Sequence, residues 1–535
     1  MKRFASCVLC LMGTTAASIM FPTWAQTMAV NGPQGSNLGI QSSRAAPRPP
    51  QGFDQYIVAG KLKLSLADAI RLALANNTDV QIDLTQIDTV KNAIGFARAP
   101  FDPSLNATLN AQRATSPSST QLAGAPVAKS LTQTYGLGFG QKFETGTTLD
   151  ASVSSNRLST NSAFSTINPS VAGNFSVSFS QPLLRGRGLL PNRGPIIIAQ
   201  RNLEESRGTF RQQVSTVILS VVSQYWNVVQ ARESLVVQQK SLDEAQQSYD
   251  HDKESLEKGA LPPLDIYRSE SQVASRRVSE IQAEYAVKQA EDVFRRVIGA
   301  DLDPNLRALD LDLSEQAEPV GELMNMDIPT ALEKALAARP EVEVHRLQLS
   351  NDDLSVEIAR NELQPNLLLT GSYQSNGLNS SNDGPFLEAL GQTFGFGFPS
   401  YSFGLTLNFP IKNHSAEATL GDAEVSKRRD LYAQRQLLQQ ITLDVTSSVH
   451  QLEESKLSLQ AAKIALDLAQ KNLQAEQRKY ELGSETLFVV LQTQTELAQA
   501  EQSLLQADID YQLAVASLDF ATGTLLDHFG VQIAK

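Results

Sequence analysis

Cysteine is nearly absent: among 535 residues only Cys7 and Cys10 occur. A disulfide framework and a cysteine-based zinc site are therefore excluded. Histidine occurs five times (His251, His345, His414, His450 and His528), too scattered for a metal cluster and read as polar helix or loop positions. Basic residues are outnumbered, 45 against 57 acidic, for a formal charge of −12. Nucleic acid is not an expected partner, since that requires a basic patch. No run of 18 apolar residues occurs, which excludes a membrane-spanning helix. No phosphate-binding glycine loop, nucleophile elbow or metal-spaced histidine pair is found, so neither catalysis nor a cofactor is expected. Proline is missing between Pro195 and Pro262 and after Pro410, which permits very long helices.

The amino terminus reads as an export signal. Lys2 and Arg3 precede an uncharged, mostly apolar stretch over 4–20, and Thr23-Trp24-Ala25 offers small residues before Gln26. Cleavage there would remove both cysteines. Neither suits a lipid anchor: Leu9 before Cys10 is bulky, and Cys7 comes too early. Residues 26–60, rich in Gly, Pro, Ser, Asn and Gln, read as a flexible leader.

The remainder is one unit written twice. Leu66-Ala67-Asp68-Ala69-Ile70-Arg71-Leu72-Ala73-Leu74 matches Ile328-Pro329-Thr330-Ala331-Leu332-Glu333-Lys334-Ala335-Leu336 at an offset of 262. That offset holds through Ala97-Arg98/Ala359-Arg360 and Pro103/Pro365. Later it becomes 224, matching Leu256/Tyr480, Gly259/Gly483 and Gly299/Gly523. The first copy is thus 38 residues longer, with the excess between Pro103 and Ala199. The expected organisation is a signal peptide 1–25, the leader, a first repeat 61–310, a linker 311–326, a second repeat 327–530 and a tail 531–535.

Each copy opens with an amphipathic helix, 65–76 or 327–338, followed by a second helix ending near Pro103 or Pro365. Alternating strands come next. Leu105–Leu109, Phe175–Pro182, Leu367–Tyr373 and Tyr401–Pro410 carry apolar residues on one face and Ser, Thr, Asn or Gly on the other. A water-filled barrel in lipid needs that pattern, although a soluble sheet with one wet face uses it too. The first copy adds a hairpin candidate near 132–156 around Glu144-Thr145-Gly146-Thr147.

Long helices follow. Val214, Val221, Val228, Leu235, Leu242, Tyr249 and Leu256 repeat every seven residues, as do Leu438, Val445, Leu452, Leu459, Leu466, Leu473 and Tyr480. A sustained seven-residue period marks a coiled-coil seam. The second seam position is often polar (Arg232, Gln239, Gln246), so the buried stripe is narrow. Each ladder ends at a glycine suited to a helix C-cap, and a returning helix repeats every seven from Ile266 or Val490. The class is mixed α+β, with a long antiparallel helical hairpin in each copy.

This combination resembles the TolC family of bacterial outer-membrane efflux proteins, over about residues 62–530. The duplicated opening helix, the Ala97-Arg98…Pro103 and Ala359-Arg360…Pro365 junctions and Tyr480-Glu481-Leu482-Gly483-Ser484 carry the resemblance. It implies a homotrimer in the outer membrane of a Gram-negative-type bacterium. Each protomer would give four strands to a 12-stranded β-barrel, and the helices would form a periplasmic tunnel closed at its tips. A periplasmic adaptor (membrane fusion protein) and an inner-membrane pump would be its partners, alongside the lipid bilayer. The chain would be a passive exit duct for efflux or type I secretion, energised by the pump. The extra hairpin would be an extracellular extension or a lengthened rim; were every candidate strand in the wall, a trimer would exceed 12. The rival reading is a soluble coiled-coil adaptor.

The resemblance points to the tips for site residues. Asp265 matches an acidic position after the first tip. By the spacing from Gly483, Val489 and Gln492 stand where the family's best-known gate carries two acidic residues three apart, a departure from a double-carboxylate ring. Val489 would form an apolar constriction or else pack within the coiled coil. Lys258, Gly259, Ala260, Leu482, Gly483 and Ser484 are adaptor-contact candidates, with helix capping as the plainer role.

Overall fold

The computed structural model describes residues 50–118, 124–258, 264, 266–319, 321–379, 385–482 and 484–532. The export signal and most of the expected leader lie outside them. The leader ends earlier than expected. Phe53 is buried, and β1 (Ile57–Val58) pairs antiparallel with β2 (Lys61–Leu64). The isolated apolar residues of this Gly/Pro-rich stretch have a core to enter that its composition does not reveal.

The opening helix α1 (Leu66–Asn76) is N-capped by Ser65, whose hydroxyl accepts from the Asp68 N–H at 3.2 Å. It leads directly into α2 (Thr78–Arg98). Four strands follow: β3 (Ser104–Pro117), β4 (Val127–Lys142), β5 (Thr148–Thr160) and β6 (Ser170–Pro182). The chain then enters α3 (Leu189–Glu257), 69 residues and ~100 Å long. It returns as α4 (Ile266–Val297) and passes through the short α5 (Pro304–Arg307) to β7 (Asp310–Leu313).

The later half likewise runs from two helices through strands to a long helix and a returning one, with a helix added between its two strands. It comprises α6 (Ile328–Ala338), α7 (Pro340–Glu362), β8 (Asn366–Asn379), α8 (Pro385–Phe394), β9 (Pro399–Asn408), α9 (His414–Glu481), α10 (Leu487–Thr522) and α11 (Leu525–His528). Asp327 caps α6 as Ser65 caps α1, its carboxylate accepting from the Thr330 N–H at 3.4 Å.

Among the described residues the strands form two sheets. The small one has the order β1-β2-β7, with β2 and β7 parallel. Residues 311–313 of the expected linker therefore belong to a sheet. Asp310-Leu311-Asp312-Leu313 alternates over only four residues, too few to stand out, and becomes a strand because Leu311 is buried beside Leu62.

The large sheet is an antiparallel meander, β3-β4-β5-β6-β8-β9. Here an expectation is corrected: the extra hairpin of the first copy is not an extension from the sheet. It is β4 and β5, paired residue by residue with β3 on one side and β6 on the other. Its period-2 alternation matches that of its neighbours, and residue counting could not show this. One cross-strand row reads Leu105-Phe139-Ala151-Val177-Tyr373-Tyr401. The adjacent row, on the opposite face, reads Ser104-Gly140-Asp150-Ser178-Ser372-Ser402. The segment α8, unanticipated in the sequence, follows β8. Its last residue, Phe394, packs on Phe175, and Phe396 just beyond it packs on Phe175 and Tyr373, over part of the apolar face.

Helices α3 and α9 run from this sheet to the far tips. The heptad residues Val214, Val221 and Val228 of α3, and Val445, Leu452, Leu459 and Leu473 of α9, are buried. The main core lies midway, where α1, α3, α4 and the small sheet meet around Tyr225, Ile218, Phe294 and Ile298. The polar seam residue Arg232 is used there: its guanidinium donates to Glu291 at 2.6 Å and to the Leu311 carbonyl at 2.7 Å, tying α3 to α4 and β7.

Candidate functional site

The two helical tips lie farthest from the sheet along the chain. The Lys258 N–H closes α3 by donating to the Glu254 carbonyl at 3.0 Å, and its side chain is exposed beside Glu254. Gly259, Ala260, Asp265 and Gly483 lie outside the described residues. Leu482 ends α9 and is 78% exposed. Ser484 caps that end, its N–H and hydroxyl both donating to the Lys479 carbonyl at 3.0 Å.

On α10, Val490 rather than Val489 enters the seam. It is buried with Leu473 and Leu497, and Tyr480 packs beside them. Val489 is half-buried on the flank, and Gln492 is exposed, its amide donating to Glu496 at 3.0 Å. The two are one helical turn apart, on a neighbouring surface of α10.

Sequence reasoning missed Asp252. It is 1% exposed near the end of α3, and Ser269 of α4 donates its hydroxyl to it. The Tyr480 hydroxyl donates to its other carboxyl oxygen at 3.3 Å. Tyr480, the last position of its heptad ladder, both packs and ties α9 to the α3–α4 hairpin. The available signal was an acidic residue three after Tyr249, on the seam side of the helix, where a buried charge needs partners.

The contact between the two hairpins changes character along its length. Midway down the molecule it is apolar: Leu505 and Ile509 of α10 join the core that holds Val221 and Val228 of α3. Toward the tips it becomes polar. Ser234 donates to Gln502 at 3.0 Å, Lys240 meets Glu501 at 2.5 Å, Gln494 donates to Ser248 at 3.1 Å and Arg276 to Thr495 at 2.7 Å. Exchange of such bonds for water costs little, whereas parting the apolar section exposes core.

One buried carboxyl is strained electrostatically. Asp508 of α10 is 6% exposed near Glu318, Glu233 and Lys463. Burial pushes it up to about 6, against the opposing pull of Lys463 and with help from the two glutamates. The folded state therefore holds this proton more tightly than the unfolded chain does. The group's stabilising contribution is complete below about pH 3.8 and is lost as pH rises through about 6. Asp508→Asn is expected to stabilise the fold at neutral pH by about 1 kcal/mol and so raise the unfolding midpoint, with little change near pH 4. Equal shifts at both pH values in thermal melts would contradict this.

Among the described residues no group of three or more His, Cys, Asp or Glu could hold a metal ion, and no helix is long and apolar enough to cross a membrane.

The model of the outer membrane efflux protein family matches residues 146–300 and 331–524, and the chain belongs to that family. Its place is accordingly the outer membrane. Among curated relatives, the probable outer membrane lipoprotein SilC of Salmonella typhimurium is 25% identical over 315 residues, 58% of this chain and 64% of that protein. The outer membrane protein TolC of Escherichia coli is 23% identical over 329 residues, 59% and 63% of the two chains. The chain thus spans less than two thirds of the length of these relatives. A crystal structure of CusC, described as forming a transmembrane channel, superposes with a TM-score of 0.63 at 17% identity, covering 90% of this chain and 97% of that one.

Proposed function

We propose that three copies of this chain form a passive exit duct across the outer membrane, with the large sheets closing into a shared barrel and the helices forming a tunnel below it. The observation that carries this reading is the large sheet itself. Through the rows that start at Leu105 and Ala107 one face is largely apolar while the alternate rows are small and polar, and among the described residues its edge strands β3 and β9 each pair on one side only. Open sheet edges cannot face lipid, so a lipid-embedded sheet of this kind must close with other copies. The matching order of elements in the two halves supports an internal duplication and gives the tunnel two similar hairpins per copy.

Transport direction and energy would come from an inner-membrane pump, coupled through a periplasmic adaptor. Lys258, Gly259, Ala260, Leu482, Gly483 and Ser484 are the proposed adaptor contacts, and Asp265, Val489 and Gln492 the proposed tip gate. The apolar-to-polar gradient between the hairpins supports opening at the tips, since the polar end can separate while the apolar middle acts as the hinge.

Detergent-extracted protein from the outer-membrane fraction is expected to have the native mass of a trimer. A monomer, or recovery as a soluble periplasmic protein, would overturn the reading. Val489→Asp and Gln492→Asp are each expected to increase cation preference in planar bilayers, because three carboxylates would ring a narrow water-filled opening. Unchanged ion selectivity in both would place the constriction elsewhere.

A further inference from the structure

We infer that the membrane wall of this protein contains eighteen strands, six from each copy, with β3 of one copy hydrogen-bonded antiparallel to β9 of the next. The inference rests on the three-copy reading above and adds the wall's composition, its joining edges and its width.

Three observations place the inserted hairpin in the wall. First, β4 and β5 lie inside the sheet, so a wall without them would have to break the pairing of β3 with β4 and β5 with β6. Second, they continue both faces. A second polar row reads Asn106-Gly138-Ser152-Ser176-Gln374-Ser400, and a second apolar row begins Ala107-Leu137-Val153-Phe175. Hydroxyl pairs bridge strands on the polar face, Ser152 to Ser176 and Ser372 to Ser402, each at 2.8 Å. Third, β4 and β5 have 16 and 13 residues. A strand needs about 9–11 to cross a bilayer, so both are long enough.

The edges fit one another. An even number of antiparallel strands puts the two edge strands in opposite directions, so copies can join head to tail around a ring without a parallel pair. Both edges are exposed within one copy along nearly their whole length. Leu105 and Leu109 on one, and Tyr401, Phe403, Leu405 and Leu407 on the other, present apolar side chains that the adjoining lipid face would continue. The occupant of each edge is therefore a second copy of this chain.

Width follows from strand number. With strands about 4.8 Å apart and tilted about 40°, eighteen strands close at a backbone diameter of ~36 Å, against ~24 Å for twelve. The backbone cross-section is about twofold larger. The side chains inside would be mostly Ser, Thr, Asn and Gly, which leave most of that width open. The outer mouth would then not select cargo by size, and selection would fall to the helical tips.

The test uses cysteine pairs on the two edges, in a chain also carrying Cys7→Ser and Cys10→Ser. Asn106→Cys, Thr108→Cys and Asn110→Cys on β3 are each combined with Ser400→Cys, Ser402→Cys and Gly404→Cys on β9. All six positions lie on the polar face, and neighbouring positions across a ladder fall within disulfide reach. Oxidation of at least one combination is expected to yield covalent trimers on denaturing gels, reversed by reductant. The single-cysteine chains should yield none. Native mass is measured on every sample. A trimer in which no β3–β9 combination links, or in which Ser152→Cys links to Ser402→Cys of another copy, would overturn the eighteen-strand wall while leaving the three-copy reading intact. A non-trimeric mass for the unsubstituted protein would instead overturn that reading and this inference with it. End-on electron-microscopic averages of the unsubstituted trimer supply a measurement free of substitutions: a wall near ~36 Å supports the inference, and one near ~24 Å refutes it.

Discussion

Tyr480→Phe, which removes a single hydroxyl, is expected to shift the tips toward an open arrangement and to raise conductance in planar bilayers. The hydroxyl is one of two that serve the buried Asp252 carboxyl, and it comes from the other hairpin. A hydrogen bond of this kind contributes about 1 kcal/mol net, which is about a fivefold change in an open–closed equilibrium per protomer. In an assembly whose copies open together the effect compounds. The phenyl ring is retained, so packing against Leu473, Val490 and Leu497 should persist and the unfolding midpoint should move little. Ser269→Ala removes the other donor but joins nothing across the hairpins, since Ser269 and Asp252 belong to the same one. It should therefore alter conductance far less. Equal conductance in wild type and Tyr480→Phe would show that this tether does not hold the closed state.

The second large effect concerns folding rather than gating. Gly299→Ala and Gly523→Ala are each expected to cost several kcal/mol and to reduce the yield of folded protein sharply. Both glycines have positive φ, +76° and +75°, where a side chain costs about 1–2 kcal/mol. Both also face backbone at close range. A Cβ at Gly299 would lie 2.8 Å from the Asn76 carbonyl oxygen, and one at Gly523 would lie 3.1 Å from Ala338 and Arg339 backbone atoms. Overpacking of this sort adds about 1–3 kcal/mol. Gly299→Ala should be the worse, because its overlap is tighter and its partner is backbone oxygen. Wild-type amounts of folded protein from both variants would show that the helix ends can separate without loss.

These two positions show how the sequence and the fold inform one another. Gly299 and Gly523 stand out in the chain only as a match at offset 224, and Asn76 and Ala338 as a match at offset 262. In the structure each glycine sits against the end of the opening helix in its own half, so the two offsets meet at one contact made twice. Neither offset alone could have revealed the contact, because sequence comparison aligns residues with their copies and not with their neighbours.

What the sequence determined by itself is local and periodic. Heptad valines and leucines dictated the long helices and their buried stripe, since a seven-residue repeat leaves one seam to hide. Strand alternation dictated two-faced strands, Ser65 and Asp327 the helix starts, and proline-free stretches most of the helix lengths, although α3 begins at Leu189 and carries Pro195 inside it. What only the tertiary structure decided is adjacency. The inserted hairpin alternates whether it lies in the sheet or beyond it, and only its pairing with β3 and β6 placed it within a six-stranded sheet. Asp252 is an ordinary polar helix residue until Ser269 and Tyr480 are brought to it from distant segments. The polar-to-apolar gradient between the hairpins likewise exists only once α10 lies along α3. Periodicity is encoded in neighbours along the chain, whereas partners are chosen by long-range packing that no spacing records.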